Sequence, residues 1–150
     1  MDQVAISNYI SVTKIFRFEM AHFLHKHNGL CQNLHGHSYK LLVTLAGRVK
    51  HEPNTPDDGM LMDFGELKKL VKDEILDHFD HALVVNENSP EATKLEALGF
   101  DRTVLLPFQP TCENLILHFV RKLVPHIPPG VKLQRLRLYE TETSYADWHA

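Results

Sequence analysis

The stretch IFRFEMAHFLHKHNGLCQNLHGHSYKLLVTLAGRV, residues 15–49, decides the fold. Its first part continues a β-rich run that starts at Ile10, and the spacing predicts a strand reaching His22. Residues 25–33 read as a loop. From His35 to Val49 the β-branched and aromatic residues put Tyr39, Leu41, Val43 and Leu45 on one alternating face, a second strand. The two strands make a long antiparallel hairpin that brings His35 back opposite His22.

Working outward, HEPNTPDDG (residues 51–59) holds the Pro, Asn, Asp and Gly that break regular structure. Asp63 and Glu66 then stand at capping-box spacing, and Phe64, Leu67, Leu70, Val71, Ile75 and Phe79 recur at helical intervals, predicting a first helix over 64–78. A short helix over 91–98 closed by Gly99 and a short strand over 103–106 follow. Thr111 can cap a second main helix carrying Leu115, Ile116, Phe119, Val120 and Leu123. After Pro128-Pro129-Gly130 the last strand, VKLQRLRLYET, alternates, slips phase and resumes at Leu136, which predicts a bulge near Gln134-Arg135. The expected class is α+β: a four-stranded antiparallel sheet with two main helices on one face, in a single domain over residues 1–150.

With 150 residues, 43% hydrophobic and 23% charged, the protein is large enough to bury a core without staples. A net charge of −3 and no extended basic run exclude an obvious nucleic-acid footprint. No apolar run reaches the roughly 20 residues needed to cross a bilayer. Cys31 and Cys112 lie far apart with no signal-like run before them, so free thiols and a cytoplasmic location are expected.

Histidine is the unusual component, at 11 residues. That richness alone predicts roughly one His-x-His pair by chance. His35 and His37, at i and i+2 in a strand, project from one face, and Gly36 between them leaves the approach uncrowded. With His22 opposite, they would form a three-histidine set with a free fourth position, the catalytic form of a zinc site; surface histidines are the plain alternative. His25 and His27 are competing ligands in the loop. Cys31, four residues before His35, sits in a polar segment where a nearby cation would favour a thiolate base or nucleophile, whereas Cys112 reads as packed. Two Asp-His dipeptides, Asp77-His78 and Asp80-His81, could each orient an imidazole for proton transfer. Glu140 shares the face of Leu136 and Leu138, where a carboxylate needs a partner; Arg135 and Arg137 are offset to the other side, leaving it able to receive a ligand's N–H groups. Glu113 reads first as a first-turn residue favoured by the helix dipole.

FRFEMAHFL, CQNLHGHSY, GMLMDFGELK, the two Asp-His pairs followed by Asn86, PTCENL and YETETSYA, in that order from Phe16 to Tyr145, resemble the 6-pyruvoyltetrahydropterin and 6-carboxytetrahydropterin synthase family. The resemblance implies a tunnelling fold, zinc on His22, His35 and His37, an active Cys31, and pterin held by Glu140, Thr111 and Glu113. Its Asp-His pair maps best to Asp80 and His81, although Val84-Val85-Asn86 lengthens the family pattern by a residue and Asp77-His78 competes. Three residues between Cys31 and His35 look like the bacterial carboxy-forming enzymes; the pyruvoyl-forming ones carry a longer insert. A homohexamer of two trimers, whose sheets close into barrels with active sites between subunits, is likewise implied. The implied reaction, in queuosine biosynthesis, takes 7,8-dihydroneopterin triphosphate to 6-carboxytetrahydropterin, acetaldehyde and triphosphate. Lys14, Arg17, Lys26 and His27 are candidates for the triphosphate.

Overall fold

The computed structural model describes residues 5–150. The hairpin forms as the alternation requires: β1 (Tyr9–His22) and β2 (His35–Arg48) pair antiparallel from Tyr9↔Arg48 to His22↔His35. Alternate residues of both strands, among them Phe16, Phe18, Met20, Tyr39, Leu41, Val43 and Leu45, are buried on one face. On β5 (Val131–Thr141) Leu133, Leu136 and Leu138 continue that face. The phase slip there is a real bulge: Thr44 pairs with Arg135 and Leu45 with Leu133, which leaves Gln134 unpaired on β2, and the Ala150 amide takes its carbonyl.

Two helices cover the face. α1 (Phe64–Val71) is capped by the Asp63 carboxylate, which accepts from the Gly65 and Glu66 amides. It runs through a π turn (Lys72–Leu76) into the short α2 (Asp77–Phe79). Leu67, Val71, Ile75 and Phe79 are all buried although they recur every four residues, and the wide turn absorbs the drift that a 3.6-residue helix would accumulate. After α3 (Ala92–Ala97), α4 (Cys112–Leu123) is capped by Thr111 and buries Leu115, Ile116, Phe119 and Leu123, each worth about 1.5–3 kcal/mol of apolar burial.

The expected four-stranded antiparallel sheet is corrected to a mixed, six-stranded one, ordered β4-β3-β1-β2-β5-β6. β1, β2, β5 and β6 (Ser144–His149) are antiparallel; β3 (Ala82–Asn86) and β4 (Thr103–Leu106) add parallel to β1. The two strands that sequence reading missed are short: β6 carries no β-branched residue, and β3, with its Leu83-Val84-Val85 run, spans only five residues just after a helix. The sheet's other face is polar: Arg135 and Arg137 both grip Asp147, and Lys40 lies over the Tyr139 ring at 4.1 Å.

Candidate active site

His22 ends β1 and His35 opens β2, so the register sets them face to face, with His37 two residues on along the same side. The ring centroids lie 4.6, 4.8 and 5.2 Å apart. His22 Nδ1 donates to the Pro110 carbonyl and His35 Nδ1 to the Asn33 carbonyl, each at 2.7 Å. A carbonyl only accepts, so both protons are on Nδ1 and both Nε2 atoms carry bare lone pairs. Those two atoms face each other at 3.1 Å. His37 Nε2 is buried without a hydrogen-bond partner.

Two facing lone pairs and an orphaned third nitrogen would be resolved by a cation between them. Tetrahedral zinc with ~2.0 Å bonds to nitrogen sets its ligands ~3.3 Å apart, close to the spacing seen. Across the trio the ligand atoms lie within 4.8 Å of one another, so the donor set fits a metal ion. Burial lowers the His22 pKa to about 4, with His35 and His37 adding to the drop against the Pro110 carbonyl; burial likewise lowers His37. Both rings are therefore neutral ligands at neutral pH.

Cys31, Thr111, Glu113 and Glu140 line one recess of about 370 Å³ together with His27 and Tyr145. A second bulge leaves Glu140 unpaired with β6, between Tyr139↔Tyr145 and Thr141↔Ser144. The Glu140 carboxylate reaches 3.7 Å from His37 Nε2, joining the recess to the trio. Because Asp147 holds Arg135 and Arg137, neither neutralises Glu140, as their offset predicts.

Cys31 sits in a 3₁₀ turn (Leu30–Gln32), its carbonyl accepting from the Leu24 amide at 2.7 Å. Gln109, unnoticed in the sequence, anchors this loop. Its side-chain amide donates to the His25 carbonyl at 2.6 Å and accepts from the His25 amide at 3.2 Å. Cys112 is packed: its thiol donates to the Leu138 carbonyl and burial pushes it up to about 12.

Asp80 and His81 lie elsewhere. His81 lines a recess of about 430 Å³ with Glu19, Ala21, Gly36, His37 and Ser38, and this recess shares no lining residue with the Cys31 one. Gly36 lines this second recess together with His37. His81 Nδ1 is 2.9 Å from Asp80 Oδ1, which also accepts from the Glu19 amide at 2.9 Å. The Asp77 carboxylate is taken by Lys72. Of the triphosphate candidates, His27 lines the Cys31 recess, whereas Lys14 lies over the Phe16 ring, far up β1.

The sequence model of the 6-pyruvoyl tetrahydropterin synthase family matches residues 11–150. A Haemophilus influenzae protein named 6-carboxy-5,6,7,8-tetrahydropterin synthase is 37% identical over 91% of this chain and 96% of its own length. A Rickettsia bellii protein of the same name is 31% identical over 92% and 99%. Among solved structures, an uncharacterized Wolinella succinogenes protein superposes with a TM-score of 0.78 at 22% identity, covering 95% of this chain and 99% of the other. The Caenorhabditis elegans 6-pyruvoyl tetrahydropterin synthase gives 0.67 at 24%, covering 95% and 96%. These neighbours share the α+β tunnelling fold.

Proposed function

The chain belongs to the 6-pyruvoyl tetrahydropterin synthase family, and on that premise we propose that it is a 6-carboxy-5,6,7,8-tetrahydropterin synthase. Its substrate is 7,8-dihydroneopterin triphosphate, and acetaldehyde and triphosphate leave in a step of queuosine biosynthesis. The observation that carries the reading is the sharing of one recess by Cys31 and Glu140, with Glu140 3.7 Å from the unpartnered His37 Nε2. A thiol base, a pterin anchor and a metal-ready trio thus meet at one place.

His22, His35 and His37 hold zinc, which, when bound, supplies Lewis acidity to side-chain oxygens of the substrate. Glu140 accepts the pterin's N–H groups in bidentate fashion, and Thr111 and Glu113 border the ring. Cys31 removes a proton from carbon on the substrate's side arm. His81, oriented by Asp80, moves protons on the opposite face through triphosphate loss and carbon–carbon cleavage. Within one subunit the two recesses share no lining residue, and the reading includes a homohexamer of two trimers in which one subunit's Cys31 recess meets another's Asp80–His81 pair. Such closure also removes exposed sheet edges. A cytoplasmic location is part of this reading; no described helix is long and apolar enough to cross a membrane.

The test is to incubate wild type and Cys31→Ala with 7,8-dihydroneopterin triphosphate and follow acetaldehyde and pterin products by mass. Cys31-dependent acetaldehyde with carboxypterin is expected. Triphosphate release with a pyruvoyl product and no acetaldehyde moves the protein to the sister reaction, and no turnover leaves a zinc- or pterin-binding module.

A further inference from the structure

We infer that Arg102 is a positioning residue that holds the Asp80–His81 turn in its working shape, an assignment that rests on the reading of this pair as the proton-moving group. α2 ends at Phe79, and its last carbonyls lack helical partners. The Arg102 guanidinium takes one of them and the carbonyl of the capping residue: Nη2 donates to the Asp77 carbonyl and Nε to the Asp80 carbonyl, both at 2.8 Å. A guanidinium is a rigid fork, so it fixes the distance between the two carbonyls as well as satisfying them.

Between that fork and the sheet the backbone is strained. Asp80 is extended, and His81 takes φ 60, a left-handed conformation that a non-glycine residue keeps only when its surroundings over-determine it. Two of the restraints come from β1: the His81 amide donates to the Glu19 carbonyl at 2.6 Å, and Asp80 Oδ1 accepts from the Glu19 amide. Arg102 is the third. It is anchored in turn, because its own carbonyl accepts from the Leu83 amide at 2.9 Å, where β3 and β4 begin to pair.

Among the described residues Arg102 makes no pair with a carboxylate, although Asp101 is its neighbour in sequence and Asp77 and Asp80 lie within its turn. Its fork is spent on backbone carbonyls, the groups that determine where His81 points. The edge strand β4, which contributes no residue to either recess, thereby acquires a role: it delivers Arg102 to the turn.

With Asp80 Oδ1 beside Nδ1, the His81 proton belongs on Nδ1 and the Nε2 lone pair is left for the recess. Arg102→Ala releases the turn and with it that preference. The experiment measures the ¹⁵N ring signals of His81 in the metal-loaded protein for wild type, Arg102→Ala and Arg102→Lys, beside kcat, KM, metal content and the rate of Cys31 alkylation. For Arg102→Ala, mixed tautomer signals and a kcat lower by about 10²-fold are expected, the size of loss that follows a misplacement near 1 Å. KM, metal content and alkylation stay as in wild type. Arg102→Lys, which can reach one carbonyl but not fork two, recovers part of both losses, and it serves in place of the alanine variant if that fails to fold. An unchanged His81 spectrum in Arg102→Ala overturns the assignment whatever kcat does, as does a kcat loss accompanied by metal loss. If His81→Ala keeps full activity, the catalytic reading of the pair falls, and the ring spectrum alone decides whether Arg102 positions it.

Discussion

Metal-stripped protein should lose stability as the pH falls from neutral, with His22 carrying much of the loss. The ring is 1% exposed, and burial holds its pKa at about 4 against 6.5 for a free imidazole. Between those two values the unfolded protein binds a proton at this residue and the folded protein does not, so stability rises with pH through the window. The neutral ring's contribution is complete above 6.5 and is lost progressively as the pH drops to about 4. The gap corresponds to about 3 kcal/mol, taking about 1.4 kcal/mol for each pH unit. The assay is urea unfolding of chelator-treated protein, at fixed protein concentration, at several pH values from about 7 to 4, for wild type and for His22→Gln, which cannot titrate. Wild type should lose about 3 kcal/mol more than the variant over that range. Parallel curves would refute the reasoning, since the buried His22 would then not be the residue that takes up the proton.

Gln109→Ala removes both hydrogen bonds to the His25 backbone, so Cys31 should alkylate several-fold faster with metal content unchanged; an unaltered rate would show that the loop holds without this anchor. Glu140→Gln should raise KM for the pterin substrate by about 10- to 100-fold, the worth of a charge-assisted hydrogen bond, in steady-state kinetics; an unchanged KM removes Glu140 from the pterin. Phe119→Ala, at a fully buried position packed against Phe18 and Phe79, should cost about 3–5 kcal/mol in urea unfolding, and a loss below about 1 kcal/mol would contradict the packing described.

How much of this was legible in the sequence follows from where each signal resides. The β1–β2 hairpin was readable because a half-buried strand writes its face into every second residue, and the His22↔His35 pairing follows from its register. The Gln134 bulge was equally readable, as a slip in that alternation. β3 and β6 were not, because five or six residues are too few for a period-2 alternation to stand out. Within the site, residue type and order pointed to the histidine trio, Cys31 and Glu140. The two Asp-His pairs differ in their partners, which spacing does not show: Lys72, five residues away, occupies Asp77, while the Glu19 amide, 61 residues away, holds Asp80. Gln109 and Arg102 act through backbone atoms across many residues, and a polar side chain in a loop bears no mark of that use in the sequence.

The facing Nε2 atoms of His22 and His35, with the orphaned nitrogen of His37, form a set that could hold a metal ion. Elemental analysis of the purified protein, as isolated and after His35→Ala substitution, tests this capacity most directly. The account predicts one zinc per subunit in the wild type and a loss of most of it in the variant. Wild-type protein that purifies without metal and takes up none from a zinc-containing buffer would contradict it.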